Sequence, residues 1–404
     1  MTTKRRKPDQ DYSSTSTPQS GPSSGGEGTD PIGSIASYSP LGRLDSVRMT
    51  LGQDPRLDAR LLGVLTKYGL DRKRTKRHLS TLSSDSSPED IQRCLKDMDH
   101  DIVALCSHLP NALPNDDLEL ETETRILTIP GPDSRTIDLY IYQPVLQGRA
   151  PLPTILHCPG TNTLAHLPPT NKIYTRWCRS LATQGLIVLS LDYHHHHHHQ
   201  NEPHTSVFPE GLNNLCAAIH YIHSHRAEFN ARNLVLQGDS LGGTLVLSAA
   251  IRAKREGWAN KIDGVYAHSP MLSNAYTWTE ERKARVFPSL IECDGYVVDV
   301  EYMSYAARLY SPQSADAVNA LAWPHYASRE SLTGLPPHVI SLDELSPLRS
   351  EGEVYLRKLV QAGVQATGHV TLGAVHVASV VFRQAAPALH RAAVRGVAGF
   401  AKQV

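Results

Sequence analysis

This chain has no excess of charge of either sign: 40 Lys and Arg stand against 40 Asp and Glu in 404 residues. Such a balance gives no electrostatic reason to bind nucleic acid or an anionic membrane, and neither is expected as a partner. Long apolar runs are also missing. None approaches the ~20 residues of a bilayer-spanning helix, and no apolar h-region follows the opening Met-Thr-Thr-Lys-Arg-Arg-Lys. Cysteine is sparse. The six residues, at 94, 106, 158, 178, 216 and 293, form no close pairs and no zinc-type spacing, so reduced thiols are expected. Together these absences predict a soluble, cytoplasmic protein. The basic run Lys4-Arg5-Arg6-Lys7 reads as a solvated patch, with a nuclear-import address as the alternative.

What is present falls into three stretches. Residues 1–45 are rich in Ser, Thr, Pro, Gly and charge, with almost nothing to bury, so a disordered tail is expected. Residues 46–115 carry two amphipathic helical patterns. The first starts near Asp54 and is ended by Gly69. The second opens at Ser86-Ser-Pro-Glu-Asp90, with serine, proline and acids where a helix start favours them, and runs toward Leu109. Two helices are too few for a core of their own, and they are expected to cap one face of residues 116–404. There, alternation over 118–129 and 137–142 around a Pro-Gly-Pro-Asp turn predicts an antiparallel edge hairpin. Apolar runs at 152–157, 186–191, 234–237, 264–267, 338–342 and 369–372 then alternate with helical patterns near 171–184, 210–228, 241–256, 300–310, 349–362 and 378–402. Repeated βα units predict an α/β fold, a mostly parallel twisted sheet with helices on both faces. Ligands of such sheets bind at the carboxyl ends of the strands.

One βα unit is chemically distinctive. The run Leu234 to Leu236 meets Gly238-Asp-Ser-Leu-Gly-Gly243, and a helical pattern follows at once. A strand, a very tight turn and a helix put Ser240 at the apex in a strained conformation, which leaves its Oγ exposed. Glycines at 238 and 242 remove the collisions that side chains there would make. The Leu241 N–H, at the helix start, points toward a developing oxyanion.

These motifs resemble the α/β-hydrolase fold, and within it the hormone-sensitive-lipase-like esterases, whose elbow reads Gly-Asp-Ser-Ala-Gly-Gly. The resemblance covers roughly residues 50–404. It includes Asp192-Tyr193 after a strand, Phe208-Pro209 before a helix, Pro347-Leu348-Arg349 after a late strand, and Gly373-Ala-Val-His376 before the last helix. It implies hydrolysis of a small-molecule carboxylic ester, of short or medium acyl chain, through an acyl-serine and with no cofactor. Position by position, Ser240 becomes the nucleophile and His376 the base, with the N–H groups of Leu241 and Gly160 around the oxyanion.

The chain departs from the family pattern twice. The family acid, directly before Pro-Leu-Arg, is Ser346 here, and the family Asp after the Arg is Ser350. A hydroxyl can accept the Nδ1–H bond but cannot stabilise the imidazolium. Losing that charge in a comparable triad costs on the order of 10⁴ in rate, about 5 kcal/mol. Asp343 is the first candidate for a substitute acid, being short and at a strand's carboxyl end; Glu344 and Glu351 are the others. The second departure is the family's His-Gly-Gly-Gly loop, which reads His157-Cys158-Pro159-Gly160. Proline has no N–H, so one donor is lost, leaving Gly160, Leu241 and Thr161.

The six histidines at 194–199 read as a low-complexity tract, and no metal ligand is assigned to them. Two other functions stand beside the serine esterase. One is a dedicated biosynthetic hydrolase or acyltransferase acting on one acylated metabolite. The other is a ligand-binding protein whose hydrolysis has decayed, against which the retained His376 argues. The oligomeric state is left open, a homodimer included.

Overall fold

Alternating and β-branched residues form eight strands: β1 (Thr122–Pro130), β2 (Thr136–Pro144), β3 (Leu152–Cys158), β4 (Ile187–Asp192), β5 (Ala231–Asp239), β6 (Gly264–His268), β7 (His338–Leu345) and β8 (Ala366–Val375). The computed structural model describes residues 46, 49–72, 79–83, 85–113, 121–145, 150–160, 168–193 and 207–404. The expected tail over 1–45, Thr161 and the histidine run at 194–199 lie outside them. The strands make one sheet in the order β1-β2-β4-β3-β5-β6-β7-β8. β1 pairs antiparallel with β2, and β2 with β4; every other pair is parallel. This is the α/β architecture with an antiparallel edge hairpin that the pattern predicts.

The helices are α1 (Ala59–Lys67), α2 (Pro88–His108), α3 (Lys172–Ala182), α4 (Glu210–Ser224), α5 (Ser240–Arg255), α6 (Glu280–Val286), α7 (Ser289–Glu292), α8 (Val300–Tyr310), α9 (Arg329–Leu332), α10 (Arg349–Gln361), α11 (Ala378–Val381) and α12 (Pro387–Gln403). The sequence reading differs at several elements. The pattern at 378–402 is two helices, because Pro387 cannot donate to a continuing ladder and Ala386 before it is held out of the helical region at φ −129°. The pattern from Asp54 becomes helical only at Ala59, where the Asp58 carboxylate caps the Arg60 N–H. No element was assigned between 268 and 300, where α6 and α7 form.

Strand periodicity sorts the core into two layers. On β5, Leu234 and Leu236 pack with Leu215 and Ile219 of α4, Leu245 of α5 and Tyr355 of α10. Val235, between them, faces the other way, with Trp177 of α3 and Val394 and Val397 of α12. Leu61 and Leu65 of α1 join this second layer. Among the described residues no helix is long and apolar enough to cross a membrane.

Buried charge ties residues 54–58 to the loop that carries His376. Arg56 pairs with Asp54 at 2.8 Å and with Glu292, and Glu292 pairs with Arg349 at 2.7 Å. Arg349 donates to the Glu344 carbonyl at 2.7 Å, and the Glu344 carboxylate accepts the Gly373 N–H at 2.7 Å. Asp58 N–H closes the circuit on the Gly373 carbonyl at 3.0 Å. Replacing Arg56 by Ala removes the cation that Asp54 and Glu292 share, in a site where Arg56 itself is 9% exposed. Unfolding in denaturant should therefore show a loss of about 3 kcal/mol. A loss below about 1 kcal/mol would place these carboxylates in solvent.

Candidate active site

Ser240 is the first residue of α5, and its φ is +50°. The conformation follows from how closely the chain doubles back. A Cβ on Gly238 would lie 2.4 Å from the Gly242 carbonyl, and one on Gly242 would lie 2.2 Å from the Cys158 carbonyl oxygen. The elbow therefore touches the loop after β3 backbone to backbone, and only glycine allows it. Two tyrosines fix that loop. Tyr193 donates its hydroxyl to the Pro159 carbonyl at 2.9 Å, and the Tyr174 hydroxyl sits between the Gly160 carbonyl and Asp239 Oδ2, 3.0 Å from the latter.

Asp239, the last residue of β5, is buried. Desolvation pushes its carboxyl up to about 6, against the opposing charge of His268 and hydrogen bonds from Tyr174 and the Gly160 backbone. The Asp239 carboxylate thus lies against the Gly160 backbone, a contact invisible in the sequence.

His376 follows β8 and is 7% exposed. Its Nδ1 lies 2.9 Å from Ser346 Oγ, which also accepts the Leu348 N–H at 3.2 Å. The structure brings Ser346, not a carboxylate, to this nitrogen. Asp343 Oδ2 instead accepts from His268 Nε2 at 3.0 Å, Ser269 Oγ at 2.8 Å and the Val377 N–H at 2.8 Å. Glu344 binds Gly373 as described. Glu351 binds the loop after β6, accepting from Leu272 N–H at 3.0 Å, Ser273 Oγ at 2.5 Å and Tyr276 at 3.2 Å. Ser350 Oγ accepts the Ser289 N–H at 3.1 Å. No hydrogen bond joins Ser240 to His376 among the described residues. Burial pushes the His376 imidazole down to about 4, with the Asp343 charge pulling the other way.

Sequence reasoning missed His268 and Tyr174, and had Tyr193 only as part of the Asp192-Tyr193 motif. For His268 a signal existed: it ends a parallel strand at the carboxyl edge, where ligands of such sheets bind. A cavity of about 500 Å³ lies at the opposite edge, lined by Glu123, Arg125, Leu152, Ile187 and Glu228, away from this chemistry.

Residues 164–380 match the model of a family described as the α/β-hydrolase fold. Among solved structures, the chain is similar to brefeldin A esterase, described as a bacterial homologue of human hormone-sensitive lipase. The TM-score is 0.84 at 34% identity, covering 90% of this chain and 98% of that one. The esterase LipI of Mycobacterium tuberculosis is 25% identical over 88% of this chain and 97% of its own length. The carboxylic ester hydrolase LipN of the same organism is 28% identical over 66% and 67% respectively.

The contact of Gly242 with the Cys158 carbonyl makes the elbow and the loop one rigid unit. Gly242→Ala must push them apart. Turnover of a p-nitrophenyl ester should fall about 100-fold or more, the loss seen when one oxyanion donor is removed. Native turnover in a folded Gly242→Ala protein would show that the loop's position is irrelevant to the reaction.

Proposed function

The chain belongs to the α/β-hydrolase fold family, among the hormone-sensitive-lipase-like esterases, and is a carboxylic ester hydrolase; from that premise we propose that it works through an acyl-enzyme on Ser240. The observation that carries the reading is Ser240 itself, held at φ +50° between β5 and the N-terminus of α5. Its Oγ attacks the ester carbonyl carbon while His376 Nε2 takes the proton. The oxyanion is held by the Leu241 N–H, with Gly160 as the second donor once Asp239 yields it. Collapse breaks the bond to the alkoxide, which leaves with the proton from His376. Water, deprotonated by the same nitrogen, then frees the acid. The substrate is a small-molecule ester, and no cofactor enters these steps.

Ser346 is the weak point of this machinery. A carboxylate fixes the proton on Nδ1 and leaves Nε2 free to act as base. A hydroxyl 2.9 Å away either accepts from Nδ1 or donates to it, and in the second case Nε2 carries the proton and cannot act. The hydroxyl brings no charge of its own to the imidazolium, and burial holds the ring down to about 4 against the charge of Asp343.

Fluorophosphonate labelling tests the nucleophile. The wild type should be labelled at Ser240 and turn over p-nitrophenyl esters, and Ser240→Ala should remain folded and do neither. Unchanged turnover in the Ala variant would end the proposal.

Ser346→Asp tests the acid. It should raise kcat/KM at pH 8 about 100-fold or more, since a missing carboxylate costs on the order of 10⁴. The sign with pH also follows. A carboxylate beside Nδ1 raises the imidazole from its value of about 4, so the acid limb of the profile moves to higher pH and the gain shrinks below it. An unchanged limb in a folded variant would show that residue 346 does not face the working base.

A further inference from the structure

His268 ends β6 with its ring among buried ionisable groups from the neighbouring elements. On one side the register places it opposite Asp239 of β5, the residue before Ser240. On the other its Nε2 meets Asp343 Oδ2 of β7 at 3.0 Å. That same oxygen accepts the N–H of Val377 at 2.8 Å, and Val377 directly follows His376 at φ +48°. One carboxylate oxygen thus holds both the ring of one histidine and the peptide beside another. His268 is 4% and Asp343 1% exposed, so solvent screens neither. The acyl-serine chemistry leaves this second imidazole without a task.

We propose that His268 and His376 share the single carboxylate of Asp343, making His268 a positioning residue that sets how strongly the His376 imidazolium is stabilised. The inference rests on the acyl-serine reading above. When the proton of Ser240 Oγ moves to His376 Nε2, a positive charge appears on a ring whose direct partner is the neutral Ser346. The carboxylate fastened to the peptide that follows His376 is Asp343. While His268 is protonated, that charge is already compensated; once His268 is neutral, it is free to stabilise His376. No electrons are gained or lost, and the proton returns to the leaving alkoxide.

The groups facing His268 are Asp239, Asp343, His369 of β8 and His376. Burial depresses the His268 imidazole, but Asp343, by charge and hydrogen bond, and Asp239 outweigh it and hold the ring above its ordinary value. The stabilisation of the fold by this pair is therefore complete below the ordinary imidazole range and fades as pH rises through the raised value. Over the same rise Asp343 is released to His376.

The decisive variant is His268→Gln, whose amide keeps a donor to Asp343 but carries no charge. Following the imidazole resonances by NMR, the His376 titration should move up by about one pH unit. Asp343→Asn should move it down, and the double variant should return it close to wild type. The labelling rate of Ser240 at pH 7 should rise about tenfold in His268→Gln if base strength limits it. A His376 titration that stays put in a His268→Gln protein of native melting temperature overturns the sharing, whether or not Asp343→Asn folds. Because that titration needs no turnover, it separates the two readings. A wild-type Ser240 that resists labelling removes the acyl-serine reading and this proposal with it.

Discussion

The structure depends on one close contact, that of the Gly242 backbone with the carbonyl of Cys158. It fixes the end of β3 against the start of α5, and so determines where a donor on either loop can point. A side chain at 242 would need the space that the Cys158 oxygen occupies at 2.2 Å. Residue 160 is equally constrained, since a Cβ there would lie 2.7 Å from the Asp239 carbonyl oxygen. The elbow is held from the far side as well. Met271 N–H donates to the Ser240 carbonyl at 3.2 Å, and Thr244 donates to the Met271 carbonyl. Glu351 holds the residues just beyond, so loops following β3 and β6 grip Ser240 between them. A strained φ persists only where surroundings over-determine it, and these contacts do so.

That rigidity is built with buried ionisable groups rather than apolar packing alone. Asp239, His268, Asp343, Glu351 and His376 are all buried near the carboxyl edge of the sheet. Burial disfavours each charged form, and each escapes differently. Asp343 keeps its charge, held below the usual carboxylate range despite burial by His268 and Ser269. Glu351 is pushed up to about 7, with hydrogen bonds to Ser273, Leu272 and Tyr276 resisting. His376 is pressed into the neutral form, the form a general base must start from. The same burial weakens it as a base, and so the field of Asp343 matters.

Much of this was legible in the chain, for a physical reason. Strand and helix periods are local, so β3 to β8 and α3, α4, α5, α8 and α10 fall where the apolar spacing puts them. The Ser240 turn is local too, because its two glycines and the flanking strand and helix lie within a dozen residues. That Ser346 stands at the family's acid position came from the resemblance, which left open whether it meets His376. What stayed hidden is long-range. Asp343 reads as a substitute acid from its place on β7, yet its carboxylate is claimed by His268, 75 residues away in sequence. The close approach of the Asp239 carboxylate to Gly160 is equally non-local. Pro387 shows the reverse case, a local signal present in the sequence that divides one helical pattern into two.

The serine at 346 makes physical sense once orientation and charge are treated as separate tasks. Orientation needs contact, because a hydrogen bond weakens within a few tenths of an ångström, and Ser346 makes that contact at 2.9 Å. Charge acts at a distance. Coulombic attraction falls only with the inverse of the separation, so a buried carboxylate need not touch an imidazolium to favour it. Asp343, fastened to the peptide next to His376, is held where it can act in this way. Its grip on Val377 also maintains the left-handed turn that presents the ring. On the proposed mechanism, a carboxylate three residues before the family's acid position supplies charge while a hydroxyl supplies the contact. The division leaves the tautomer of His376 unguarded, and it lets a second histidine compete for the charge.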